Sequence, residues 1–124
     1  MVTPEPAHWR RQIILTWRVG TAVDRALLRR HGIGLSDYLT LSALQDAGGG
    51  PLRVMELADA VGVSPSTMSR MLSRLETDAL VARRIGTDDR RSSYAALTGT
   101  GAEKLAAATE TFAREVDAAL AVRS

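Results

Sequence analysis

The fold is decided by the stretch Ser64-Pro65-Ser66-Thr67-Met68-Ser69-Arg70-Met71-Leu72-Ser73-Arg74-Leu75-Glu76. Ser64 is a good helix N-cap, and Pro65 suits the first helical position, where its missing N–H is no loss. Met68, Met71, Leu72 and Leu75 recur at spacings of three and four, so one face of this helix is buried. Subtracting that face leaves Ser66, Thr67, Ser69, Arg70, Ser73 and Arg74, with no acid before Glu76. Ser and Thr are mediocre helix formers, and a face built only for solvation favours Glu, Lys or Gln. Small hydroxyls allow close approach, the helix N-terminus attracts phosphate, and Arg forks onto the two acceptors of guanine. A helix with this surface suits the major groove of duplex DNA.

Upstream, Val54, Leu57, Ala58 and Val61 predict a short helix over about 53–60, stopped by Gly62. A short helix, a tight turn and a polar helix make a helix-turn-helix. Gly48-Gly49-Gly50-Pro51 is a loop. Before it, Ser36 reads as the N-cap of a helix over about 36–47 whose apolar side is Leu39, Leu41 and Leu44. His8 to about His31 reads as one long helix, with Ile13, Trp17, Val23 and Leu27 at roughly helical spacing. Arg29, Arg30 and His31 complement its C-terminal dipole, and Gly32 and Gly34 stop it. Gly20 costs this helix roughly 0.5–1 kcal/mol against Ala unless a neighbour approaches closely there. Residues 1–7, with two prolines, read as a lead-in.

Downstream, the helix ends near Asp78. Leu80–Arg84 and Ser93–Leu97 then read as two strands around the turn residues Gly86-Thr87-Asp88-Asp89. The hairpin holds Arg83, Arg84, Arg90 and Arg91. In a wing, a tip Arg enters the minor groove, neighbouring Arg side chains contact phosphate, and Asp89 pairs with an Arg to shape the tip. From Thr98 onward, Leu105, Thr109, Phe112, Val116 and Leu120 form the stripe of a last helix. The expected fold is mainly α, one domain over 1–124: a winged helix-turn-helix with a two-stranded β-hairpin wing.

Composition narrows the function. Apolar residues are 45% of the 124, but aromatics are only 4%, so a lone protomer has a thin core and gains from burial against a second copy. The absence of cysteine removes disulfides, thiolate metal sites and thiol redox sensing. His8 and His31 fit no zinc spacing. No apolar run reaches the ~18 residues that cross a bilayer, and residues 1–6 lack the order of a signal peptide. A cytoplasmic protein with no cofactor is expected. Net charge is only +2, but fifteen of the sixteen basic side chains are Arg, because Lys104 is the only Lys. Paired catalytic carboxylates, a Ser–His–Asp set and a phosphate loop are all missing, so an enzyme is not expected.

Residues 52–98 resemble the MarR family. The resemblance lies in Glu56-Leu57-Ala58, Val61-Gly62-Val63-Ser64, Ser66-Thr67-Met68-Ser69-Arg70 and Arg74-Leu75-Glu76, followed by Leu80-Val81 and Arg83-Arg84. Its most specific part is the wing signature Asp89-Arg90-Arg91 and its distance to Leu97-Thr98 and Gly101. The resemblance implies a homodimer on duplex DNA, with 8–31 and 99–122 as dimerisation helices and 36–98 as the DNA-binding lobe. It also implies a pseudo-palindromic operator, commonly repression, and often release by a small aromatic or anionic effector. Ser66, Thr67, Arg70 and Arg74 would lie in or beside the major groove, flanked by Ser64, Ser69 and Ser73. Arg91 would reach the minor groove, with Arg84 and Arg90 near phosphate and Asp89 orienting the wing. Trp17 and Tyr38 are the effector candidates, set against a plain packing role for both. A winged helix that docks a protein instead of an operator is the alternative, and the Arg-bearing wing argues against it. Departures from the family pattern are Ala79, where Gly is frequent, Ala95 in place of a larger β-former, Arg53 at an N-cap, and a short C-terminal end that implies a reduced dimer platform.

Overall fold

A computed structural model describes residues 5–86 and 93–121. In chain order these form α1 (Pro6–His31), α2 (Leu35–Asp46), β1 (Leu52–Arg53), α3 (Val54–Val61), α4 (Pro65–Thr77), β2 (Val81–Ile85), β3 (Ser93–Leu97) and α5 (Gly99–Ala121). They fall into two compact units. One is the chain up to Leu35 with the chain from Thr109 onward; the other is Ser36–Ala108.

In the first unit, α1 stops at Gly32, whose φ of 71° is left-handed and whose N–H reaches the Leu28 carbonyl. Burial on α1 is confined to its C-terminal part, at Val23, Ala26 and Leu27. Ile13 and Trp17, expected on the same apolar stripe, are exposed. His31 Nε2 lies 2.6 Å from Thr111 Oγ1 and links α1 to α5. Ser36 is not the cap of α2: the helix begins at Leu35, whose N–H donates to Asp24 Oδ1 at 2.8 Å. A carboxylate on α1 thus does the work assigned to a local hydroxyl. Among the described residues, a Cβ at Gly20 would meet only Leu35 Cδ2 at an ordinary 3.5 Å, and none of them approaches closely enough to require glycine there.

The second unit is built on the buried faces of α2, α3 and α4. Leu41, Leu44, Leu57, Met68, Leu72 and Leu75 are at most 1% exposed. Leu39, expected on this face, is instead exposed. Gly62, with φ 83°, ends α3, and its N–H and that of Val63 both reach the Ala58 carbonyl, making the tight turn into α4. The wing is three-stranded, in the order β1-β3-β2, all antiparallel. The expected hairpin β2–β3 pairs Val81 with Leu97, Arg83 with Ala95 and Ile85 with Ser93. β1 adds Leu52 against Ala95 and Arg53 against Tyr94. Ala95, weak by propensity, is therefore the buried centre of a sheet paired on both sides.

The α4–β2 and β3–α5 junctions are strapped together. Ala79 takes φ 63°, and the Thr98 hydroxyl donates to its carbonyl at 2.6 Å. The same hydroxyl accepts from the Gly101 N–H at 2.9 Å, capping α5. Gly101 packs on the Leu80 backbone so closely that a Cβ there would collide with the Leu80 carbonyl. No helix among the described residues is long and apolar enough to cross a membrane.

Candidate nucleic-acid interface

The N-terminus of α4 is a chain of hydroxyls ending in a guanidinium. Ser64 is extended (φ −70°, ψ 155°), and its Oγ accepts from the Thr67 N–H at 3.1 Å, as expected of an N-cap. The Ser64 hydroxyl also lies 3.2 Å from Ser66 Oγ and donates to Thr67 Oγ1 at 3.0 Å. Thr67 Oγ1 in turn accepts from Arg70 Nη2 at 3.3 Å. Ser64, Ser66 and Arg70 are exposed and Thr67 half-buried, while Met68, Met71, Leu72 and Leu75 anchor the opposite face. The first turn holds no acid, so nothing opposes the positive end of the helix dipole. This array offers oriented donors to an anion at a helix N-terminus.

One turn on, the expected residues acquire intramolecular partners. Arg74 Nη2 pairs with Asp37 Oδ1 on α2 at 2.5 Å, the carboxylate being 9% exposed and the guanidinium 59%. Ser69 and Ser73 are engaged by Arg83 of β2. Arg83 Nη1 donates to Ser73 Oγ at 3.1 Å and, more weakly, to the Ser69 carbonyl at 3.4 Å. Its Nη2 donates to Ser93 Oγ on β3 at 3.2 Å and to Ser69 Oγ at 3.4 Å. Arg84 is exposed and pairs in register with Tyr94, whose ring lies 5.7 Å beneath the Arg53 guanidinium. Arg53 also approaches Glu56 at 4.0 Å. Asp89, Arg90 and Arg91 lie outside the described residues.

Of the effector candidates, Tyr38 is buried in the second unit at 6% exposure, whereas Trp17 is 69% exposed. Trp17, Arg18, Thr21, Ala22 and Arg25 edge an open hollow of about 330 Å³ on α1. Among the described residues no group of three or more His, Asp or Glu side chains could hold a metal.

Sequence reasoning missed Asp37, Arg83 and Thr98 as organisers of this surface. Period-2 alternation carried a signal for Arg83, because it puts Arg83 on the same face as buried Val81, toward the helices. Asp37 gave none, being 37 positions from Arg74.

Residues 31–92, half the chain, match the model of the MarR family. The HTH-type transcriptional repressor MdtR of Bacillus subtilis is 34% identical over 74 residues, 60% of this chain; the match spans only 46% of that relative. Among solved structures, the MarR family transcriptional regulator Sco3205 of Streptomyces coelicolor, in complex with DNA, superimposes with a TM-score of 0.84 at 28% identity, over all of this chain and 80% of the other. AbsC from the same organism, also a MarR family transcriptional regulator, gives 0.81 at 26%, over all of this chain and 84% of the other. MarR of Escherichia coli shares the fold, with a TM-score of 0.82 at 18% identity over all of this chain and 87% of its own. With its helix-turn-helix and wing in place and half its length matched by the family's own model, this chain belongs to the MarR family of transcription regulators.

Proposed function

We propose that this chain is a transcriptional repressor that binds a pseudo-palindromic operator as a homodimer and is released by a small aromatic or anionic ligand. The carrying observation is the exposed Ser64–Ser66–Thr67–Arg70 array at the N-terminus of α4, bonded among itself and aimed by the helix cap. In this reading α4 enters the major groove through Ser66, Thr67 and Arg70, with Ser64 and Arg74 toward phosphate. Arg84, Arg90 and Arg91 follow the backbone and minor groove, and Asp89 shapes the tip. The DNA complex of Sco3205, a relative at 28% identity, supports the DNA partner, and the name of MdtR supports repression.

The homodimer is supported by the N-terminal half of α1, where Trp9, Ile13 and Ile14 are each still 45–50% exposed. Exposed apolar side chains grouped along one helix suit an association surface. Trp17, with Arg18 and Arg25 beside it, offers an indole face and two guanidiniums to a planar anion.

Selection of fragments from genomic DNA by the purified protein tests the reading. The expected result is a set sharing inverted half-sites about 10 bp apart, centre to centre. Fragments no different from the input would refute it.

A further inference from the structure

Arg83 makes four Nη contacts to acceptors within the protein. We infer that Arg83 is a positioning residue: it locks the wing to the recognition helix, and Ser69 and Ser73 serve as its acceptors rather than as readers of bases. The inference rests on the DNA-binding reading for its groove argument and its second readout, and not for the exchange measurement.

Three observations carry it. First, both terminal nitrogens of the guanidinium bridge two elements. Nη1 reaches Ser69 and Ser73 on α4, and Nη2 reaches Ser69 on α4 and Ser93 on β3. Four N–H groups directed at protein acceptors leave little for a phosphate, and the rigid fork of Arg suits such bridging better than the point charge of Lys. Second, the backbone is tied at the same residue, since the Arg83 N–H donates to Glu76 Oε2 near the end of α4 at 3.3 Å. Third, Ser73 is already committed: its hydroxyl donates to the Ser69 carbonyl at 3.1 Å while accepting from Arg83. A two-stranded ribbon holds its own geometry weakly, and β1 adds only two residues to β2–β3. A helix in one groove and a wing in the next must keep the spacing of the grooves, and the Arg83 guanidinium bonds to both elements.

The test compares Arg83→Met, Arg83→Lys and Ser93→Ala in the 124-residue chain by amide hydrogen exchange. For Arg83→Met, exchange across Val81–Ile85 and Ser93–Leu97 is expected to quicken by on the order of tenfold, with α3 and α4 unchanged. Ser93→Ala should move the same strands less, and Arg83→Lys should restore only part of the protection. Unchanged wing exchange, an equal rise in α3 and α4, or full rescue by Lys would each overturn the inference. As a second readout, the Met variant is footprinted on a fragment selected by the wild-type protein. Loss of minor-groove protection with guanine N7 protection kept supports the inference; loss of both together, or of neither, contradicts it. Should the wild-type protein select no fragment, the DNA reading fails, and the exchange measurement still decides the role of Arg83.

Discussion

Arg74 on α4 and Asp37 on α2 form an ion pair at 2.5 Å in which the acid is buried and the base is open to solvent. The pair fastens α4 to α2 and neutralises a carboxylate on the lobe proposed to meet phosphate. Removing the base leaves a buried charge without this partner, whereas removing both ends does not. Arg74→Ala should therefore lose about 1–3 kcal/mol of stability, and the Asp37→Asn/Arg74→Ala double variant less than the two single losses combined. Urea unfolding of the four proteins at one fixed protein concentration reads this directly. Additive losses would show that the pair contributes nothing.

Ala79, at φ 63°, holds the junction between α4 and β2 in a conformation that disfavours a Cβ. Ala79→Gly is expected to raise stability by about 1 kcal/mol, the relieved strain exceeding the entropy glycine adds to the unfolded chain. A thermal melt several degrees higher, with DNA affinity unchanged, is the outcome to look for.

Gly101 sits at the opposite extreme. Its Cβ would strike the Leu80 backbone carbonyl, which cannot swing aside like a flexible side chain. Gly101→Ala should destabilise by about 1–3 kcal/mol or more. Thr98→Val, which deletes the α5 cap and the bond to Ala79, should cost about 1 kcal/mol. Denaturant titration ranks the two, and a reversed order would contradict the packing at this junction.

The exposed row Trp9, Ile13 and Ile14 on α1 predicts self-association. Ile13→Asp would place a charge in that row, and burying an unpaired charge is strongly unfavourable. Light scattering should then report a monomer where the unchanged chain is a dimer. A variant that stays dimeric would move the interface elsewhere.

Local chemistry made most of the helix-turn-helix legible. Ser64 and Pro65 announce a helix start, and Met68, Met71, Leu72 and Leu75 announce its buried face; both are seen. Tertiary relationships were not legible. The cap of α2 comes from Asp24, eleven positions before Leu35, while Ser36 offered a plausible local alternative. β1 has two residues, too few for any periodicity, and is held by pairing with β3. Leu39, Ile13 and Trp17 fit the helical apolar spacing yet are exposed, because that spacing cannot distinguish a residue buried within a chain from one left exposed on it. At the candidate site, residue types pointed to the surface, but the division of labour among Ser69, Ser73, Arg74 and Arg83 depends on contacts across elements.

The N-terminal half of α4 is proposed to read duplex DNA. Fluorescence anisotropy on a duplex recovered by genomic selection, titrated with the unchanged protein and with Arg70→Ala over a range of salt, tests it most directly. Arg70→Ala should bind that duplex roughly 10–100-fold more weakly and discriminate less against a scrambled duplex. Equal affinity and equal discrimination in the two proteins at every salt concentration would contradict it.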